Sequence, residues 1–181
     1  MGTEYYLINK ENKTFYDLGK GSWYEFIGQE EALTDLEYLE EFVFDDCLNG
    51  YDRDEDHIDD TRGYAKELAS ELFEFAKCKN IKNIVLTSDG TDDTIIIRCL
   101  GYKCVGSRYR DSANPECNRQ RIEFENRHLD PKTPKHLYSI DAFLKAGVCK
   151  VWINGLGYVP LEENQPSPYQ ELVDKYRNVE P

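Results

Sequence analysis

The sequence contains no apolar run near the 18 residues that indicate a membrane-spanning helix. Its first residues, MGTEYYLINKENK, lack the basic region and apolar stretch of a secretory signal. Without such a signal, the six cysteines are expected to be free thiols in a reducing compartment. Together these absences predict a cytoplasmic protein with no membrane partner.

Basic residues are scarce relative to acidic ones. The 181 residues include 22 Lys and Arg against 35 Asp and Glu, for a net charge of −13. Because such a chain repels phosphate backbones, no nucleic-acid partner is expected, whereas basic proteins and cations would be attracted. The basic run RYRDSANPECNRQR is predicted to face the protein's own carboxylates.

Catalytic signatures are also missing. Only three histidines occur, none of them in a recognisable nucleophile motif, and the pattern G-x-S-x-G is absent. We therefore predict no catalytic residues and favour a protein that is not an enzyme.

A folded core, by contrast, is well supported. Hydrophobic residues make up 40% of the chain and aromatic residues 13%, which excludes a disordered composition. No repeat, low-complexity segment or linker interrupts the chain, so we predict a single domain over residues 1–181.

Local patterns predict the elements of that domain. EYYLINKENKTFYDLG is typical of a hairpin in which Asn12 adopts the left-handed conformation. A capping box of Thr34 and Glu37 begins a helix over 35–48, and apolar periodicity predicts a second helix over 62–78.

The rest of the chain alternates between strand and helix signals. NIVLTS and YKCVGSRY read as strands on either side of a short helix that ends at Gly101, and RQRIEFENR reads as another strand. Asn154-Gly155 indicates a second hairpin, and Ser167 is predicted to cap a tail helix. The expected fold class is α+β (or α/β), with a mixed sheet covered by two main helices and a docked C-terminal helix.

The stretch YDRDEDHIDD, residues 51–60, is the densest acidic segment. Between Asp35 and Asp60 there are twelve acids and one base. A solvated loop, a loose divalent-cation site and a surface for a basic partner all fit this composition. The spacing D-x-D-x-D resembles an EF-hand start, but His57 and Gly63 occupy positions that should be Gly and Glu. The predicted partner-binding residues are Asp45, Asp46, Tyr51, Asp52, Asp54, Glu55, Asp56, Asp59 and Asp60, with Tyr38, Phe44 and Tyr51 as aromatic anchors.

A possible ligand loop is LTSDGTDDT. It follows a buried strand and precedes a helix, which is where α/β folds often bind ligands. Its acids favour a cation or a hydroxyl group over a phosphate. The residues concerned are Asp89, Gly90, Asp92 and Asp93.

The segment TRGYAKELASELFEFAKCKNIKNIVLTS…LGYKCVG resembles the central part of the GCN5-related N-acetyltransferases. In that family an R-G-x-G/A turn begins a helix and binds the pyrophosphate of acetyl-CoA. The resemblance implies that Arg62, Gly63 and Ala65 bind acetyl-CoA as a cofactor.

The opening YYLINKENKTFYDLGKG, together with VLTSDGTDD…GYK, resembles a family of small intracellular proteins that begin with a Y-x-L-V/I-N hairpin. That family has no assigned function, so the resemblance implies a fold and no activity.

The composition therefore favours a non-catalytic acidic binding protein that engages a basic partner protein, as immunity, anti-defence or structural-assembly proteins do. The alternatives are an enzyme similar to the GCN5-related N-acetyltransferases and a protein that binds a divalent cation through its acid clusters. No cofactor is expected for the favoured function.

Overall fold

The computed structural model describes residues 2–49, 58–89, 91–108, 115–127, 150–153, 156–160 and 169–181. Four strands form one sheet, and they are β1 (Glu4–Asn9), β2 (Thr14–Lys20), β3 (Ile84–Ser88) and β4 (Lys103–Ser107). Their order is β3-β1-β2-β4. β1 is antiparallel to both β2 and β3, whereas β2 and β4 are parallel, so the sheet is mixed as predicted.

The described residues also include five helices and a separate hairpin. The helices are α1 (Leu36–Asn49), α2 (Ile58–Phe75), α3 (Asp93–Cys99), α4 (Pro115–Arg127) and α5 (Gln170–Arg177). The hairpin consists of β5 (Lys150–Ile153) and β6 (Gly157–Pro160), which pair antiparallel. This arrangement confirms the α+β class. The turn Asn154-Gly155 itself lies outside the described residues.

The alternation of side chains along the strands creates two apolar cores. Tyr5 and Leu7 of β1 face α1 and α2, whereas Tyr6 and Ile8 face α3 and α5. Because both faces are covered, the central strands are buried almost without interruption. The sheet is therefore the middle layer between two layers of helices.

The tail helix α5 is docked, as the sequence predicts. Val173 and Tyr176 are buried in the second core. Lys10, itself buried, donates hydrogen bonds from Nζ to the backbone oxygens of Lys175 and Asn178 at 3.1 and 2.8 Å. These carbonyls lie at the C-terminal end of α5, where a cation is favoured. Ser167, the predicted cap, lies outside the described residues.

Side chains form hydrogen bonds with backbone groups on both edge strands of the sheet. On β3, the backbone N–H of Leu86 donates to Oε1 of Glu30 at 3.3 Å. On β4, Asn126 pairs with Cys104 twice, because its Oδ1 accepts from the backbone N–H and its Nδ2 donates to the carbonyl, both at 2.9 Å. The amide of Asn126 thus replaces a neighbouring strand at that position.

One predicted strand is wrong. RQRIEFENR forms the second half of α4 and not a strand. Its apparent alternation also contains the helical spacing that brings Ile122, Glu125 and Asn126 to the face of α4 that contacts the sheet. A short polar segment can match both the strand period of two residues and the helical period of 3.6 residues. Its contacts with the sheet then favour the helix.

The first hairpin is confirmed, but its left-handed residue is Lys13 (φ 51°) and not Asn12. Asn12 instead donates its backbone N–H to Oδ1 of Asn9 at 3.1 Å. The side chain of Asn9 therefore satisfies a backbone N–H of the loop three residues further along the chain.

The start of α1 is shifted by one residue relative to the predicted cap. Oδ1 of Asp35 accepts from the backbone N–H of Tyr38 at 3.1 Å, so Asp35 is the N-cap. Thr34 ends a preceding 3-10 turn and donates to the carbonyl of Glu31. The second main helix, predicted over 62–78, extends from Ile58 to Phe75, so both of its ends lie earlier than predicted.

Candidate functional site

The most distinctive surface of the described chain combines carboxylates with exposed apolar side chains. Between Gly21 and Asn49 there are nine acids and no Lys or Arg. On this segment Tyr24 is 58% exposed, and Ile27 and Tyr38 are each 49% exposed. We call this surface the α1 face, and it consists of Tyr24, Glu25, Ile27, Glu31, Asp35, Glu37, Tyr38, Glu41 and Asp45.

A cluster of buried aromatic rings supports the α1 face. Trp23 and Phe26 come from a 3-10 turn that precedes α1, and Phe42 comes from α1 itself. The ring of Phe26 lies 4.4 Å from that of Phe42 and 6.0 Å from that of Tyr38, centroid to centroid. Packing against these rings restricts the orientation of Tyr38, so its exposed side is presented at little entropic cost.

The exposed acids of the α1 face have few internal partners. Glu41 lies 3.4 Å from Nη1 of Arg62 in an exposed pair, which contributes little to stability. Among the described residues, no ion pair within 4.0 Å involves Glu25, Glu37 or Asp45. The negative charge of this surface is therefore largely uncompensated by the described part of the chain.

The two neighbouring acids predicted to bind a partner differ in their environment. Asp45 is exposed, whereas Asp46 is buried and accepts hydrogen bonds from Nη1 of Arg108 at 2.5 Å and from the backbone N–H of Ser22 at 2.7 Å. Asp46 is thus committed inside the fold. Asp60 is exposed at the start of α2, and Asp59 belongs to the same turn. Tyr51, Asp52, Asp54, Glu55 and Asp56 lie outside the described residues.

Arg108 connects several elements at the end of β4. Besides Asp46, it donates from Nη1 to the carbonyl of Lys20 at 2.7 Å, and its Nη2 lies 3.8 Å from Sγ of Cys47. Its own carbonyl accepts from the hydroxyl of Tyr64 at 2.6 Å. Burial raises the pKa of the Cys47 thiol despite the nearby guanidinium, so this thiol is not activated as a nucleophile.

The predicted ligand loop contributes one buried carboxylate. Oδ1 of Asp93 accepts from Nζ of Lys175 at 2.7 Å and from the hydroxyl of Tyr176 at 2.5 Å. Burial alone would raise the pKa of Asp93, but these contacts outweigh it and lower the pKa below its ordinary value. Asp93 therefore anchors α5. Asp89 is exposed, Asp92 is partly exposed, and Gly90 lies outside the described residues.

The residues that match the acetyltransferase turn lie inside α2. Because the helix begins at Ile58, the backbone N–H groups of Arg62, Gly63 and Ala65 fall within the helical hydrogen-bonding pattern. Ala65 is buried in the first core, and the Arg62 guanidinium lies 4.0 Å above the ring of Phe44. This placement does not favour a pyrophosphate site at these residues. Phe44, a predicted anchor, is itself only 7% exposed.

A partly buried ionic network lies at the far side of the sheet, and the sequence analysis named none of its carboxylates. Nε of Arg121 donates to Oδ2 of the fully buried Asp17 at 2.8 Å, and Nη2 lies 3.1 Å from Glu125 and 3.4 Å from Glu4. Arg98 contacts Glu125 at 2.5 Å. Burial would lower the pKa of Arg121, but the hydrogen bond to Asp17 and the three carboxylates raise it. The network holds α4 against the sheet.

Arg108 and Arg121, at the two ends of the basic run, face the protein's own carboxylates as predicted, and residues 109–114 of the run lie outside the described residues. Two signals in the sequence indicate the network. One is Asp17 within an otherwise apolar strand, and the other is the i, i+4 spacing of Arg121 and Glu125, which becomes visible once α4 is recognised as a helix.

No family model matches the chain, and no curated protein or solved structure matches it significantly. Among the described helices, none is long and apolar enough to cross a membrane. Within the same described ranges, no group of three or more His, Cys, Asp or Glu side chains is arranged to hold a metal ion.

Proposed function

We propose that this protein is a non-catalytic acidic binding protein and that its α1 face engages a basic surface on a partner protein. The observation that carries the proposal is the coincidence of largely uncompensated carboxylates with exposed apolar side chains on α1 and the 3-10 turns that precede it. Carboxylates at the rim would accelerate association and select for a basic partner. Tyr38, Tyr24 and Ile27 would supply the buried contacts on which affinity depends.

The internal contacts of the other acids support this assignment. Asp17, Asp46, Asp93 and Glu125 are buried and paired with cations, which accounts for their presence structurally. Apart from Asp35, which caps α1, the acids of the α1 face have no comparable structural role among the described residues, and their mutual repulsion lowers the stability of the fold. A binding role explains why this surface keeps a charge that the fold does not need.

Neutralising the α1 face tests the proposal. The variant combines Glu37→Gln, Glu41→Gln and Asp45→Asn, and the control combines Glu67→Gln, Glu74→Gln and Glu171→Gln, which are exposed acids elsewhere. Partners are first captured from the source cells by photo-crosslinking at Tyr24, identified by mass spectrometry and purified. The Kd of each purified partner for the unmodified protein, the variant and the control is then measured by calorimetry at several salt concentrations.

Exposed charge pairs contribute about 0.5 kcal/mol each, so losing three should weaken binding by roughly tenfold and reduce its salt dependence. The control should bind like the unmodified protein. If both variants lost the same affinity, the effect would come from the net charge of the protein. That outcome would contradict a specific role for the α1 face.

A further inference from the structure

Helix α1 already binds one guanidinium group of its own chain. The Cζ atom of Arg62 lies 4.0 Å from the centroid of the Phe44 ring, and Nη1 lies 3.4 Å from Oε1 of Glu41. Glu41 and Phe44 are three residues apart, so their side chains are neighbours on the helix surface. On this helix, an acid followed three residues later by an aromatic residue therefore binds arginine. The carboxylate pairs with the guanidinium, and the ring stacks on it.

The same sequence spacing recurs six residues earlier, in Asp35, the N-cap of α1, and Tyr38. Oδ1 of Asp35 caps the helix by accepting from the backbone N–H of Tyr38, which fixes the carboxylate beside the first turn. The Tyr38 ring packs on Phe26 and is still 49% exposed. Within the described ranges, no Lys or Arg forms an ion pair with Asp35 or stacks on Tyr38.

We propose that the pair Asp35 and Tyr38 receives an arginine side chain of the basic partner, in preference to lysine. This inference rests on the proposed function and specifies the side chain that the α1 face recognises. A planar, weakly hydrated guanidinium can stack on the phenol ring while its N–H groups reach the carboxylate. The ammonium of lysine is a strongly hydrated point charge and cannot make both contacts equally well. Glu37, the next exposed acid, adds attraction for either cation.

Two synthetic peptides test the preference without knowledge of the partner. Acetylated and amidated hexa-arginine and hexa-lysine carry the same charge, so general electrostatic attraction is matched between them. Each is titrated into the full chain at low salt while backbone amide resonances are followed by NMR. An exposed cation–π contact contributes about 0.5–1 kcal/mol, so hexa-arginine should bind roughly two- to fivefold more tightly.

Three variants assign that difference to Tyr38. Tyr38→Leu should bind both peptides with equal affinity, whereas Tyr38→Phe keeps the ring and should retain the preference for arginine. Tyr24→Leu is the matched control for removing an exposed aromatic residue elsewhere on the α1 face, and it should also retain the preference.

Each other outcome overturns a defined statement. If both peptides shift the amides of α1 with equal affinity, the arginine inference is wrong while the α1 face remains a binding surface. If Tyr38→Leu still prefers hexa-arginine, the arginine inference is likewise wrong, and the α1 face remains a binding surface. If neither peptide shifts the amides of α1, both the inference and the proposed function are contradicted.

Discussion

The guanidinium of Arg108 and the carboxylate of Asp46 lie 2.5 Å apart, with side chains only 17% and 5% exposed. This pair joins the end of β4 to α1, and Asp46 also accepts from the backbone N–H of Ser22. We expect Asp46→Ala to lower the free energy of unfolding by about 3 kcal/mol, because it leaves a buried cation without its partner. Urea unfolding followed by circular dichroism measures the change.

Asp45→Ala is the matched control for that substitution, because Asp45 is the adjacent residue and is exposed. Its effect on unfolding should stay within about 0.5 kcal/mol. Similar losses in the two variants would show that the contact with Arg108 has no special weight.

Asp93 makes the docking of α5 dependent on pH. Burial opposes ionisation of Asp93, but the contacts with Lys175 and Tyr176 lower its pKa in the folded state, so its contribution to stability is complete above the pKa that it has in the unfolded chain. That contribution is lost as the pH falls through the folded-state value. Asp93→Asn should therefore cost about 1.5–3 kcal/mol at neutral pH, and the difference from the unmodified protein should shrink in acid. Unfolding curves over a pH series measure this, with Asp89→Asn as the exposed control. A pH-independent difference would contradict the assignment.

Substituting alanine for each of two glycines should change the free energy of unfolding in opposite directions. A Cβ atom at Gly106 would lie 2.1 Å from Cε2 of Tyr16, in a part of the first core that has no room for it. Gly106→Ala should destabilise the protein by about 1–3 kcal/mol. Gly63 lies inside α2, and a Cβ atom there meets nothing within 4 Å. Gly63→Ala should stabilise by roughly 0.5–1 kcal/mol, because alanine favours the helix.

Thermal unfolding of the two glycine variants provides the measurement, and each serves as the control of the other. A loss of stability in Gly63→Ala would mean that this residue needs a conformation other than the helical one, as the turn in the acetyltransferase resemblance requires.

The tail beyond α5 should detach when one amide is removed. Asn83 donates from Nδ2 to the carbonyl of Glu180 at 2.9 Å and accepts from its backbone N–H at 2.7 Å. Asn83→Ala should increase hydrogen exchange at the amide of Glu180, because both bonds are lost. Exchange at the buried Val173 of α5 should change less, since Lys10 and Asp93 still hold the helix. Unchanged exchange at Glu180 would contradict this account.

Much of the fold could be predicted from local pattern. The first hairpin, the strand at 84–88 and the helix ending before Gly101 follow from apolar runs bounded by turn residues. The strand predicted at RQRIEFENR failed because a short polar segment satisfies two periods at once, and only contact with the sheet favours the helix. The start of α1 was displaced because Asp35 and Thr34 are both competent caps and the sequence does not rank them.

The negative charge of the candidate site could be predicted from the sequence, but the contacts of its individual residues could not. The excess of acids indicated a surface for cations, and Asp45 and Asp60 are indeed exposed. The commitment of Asp46 and Asp93 to internal cations could not be predicted, because Arg108 and Lys175 are distant in the sequence. The aromatic support of Tyr38 was hidden for the same reason, since Phe26 lies in a different element.

The two side chains that occupy the sheet edges limit how this protein can be recognised. A foreign strand seeking to extend the sheet would have to displace the carboxylate of Glu30 from β3 or the amide of Asn126 from β4. Recognition through backbone pairing tolerates almost any sequence, whereas recognition through a helix surface depends on the side chains presented. Because these side chains hinder strand addition where they contact β3 and β4, we expect a partner to be selected by individual side chains of a helix surface, which single substitutions and ionic strength can tune.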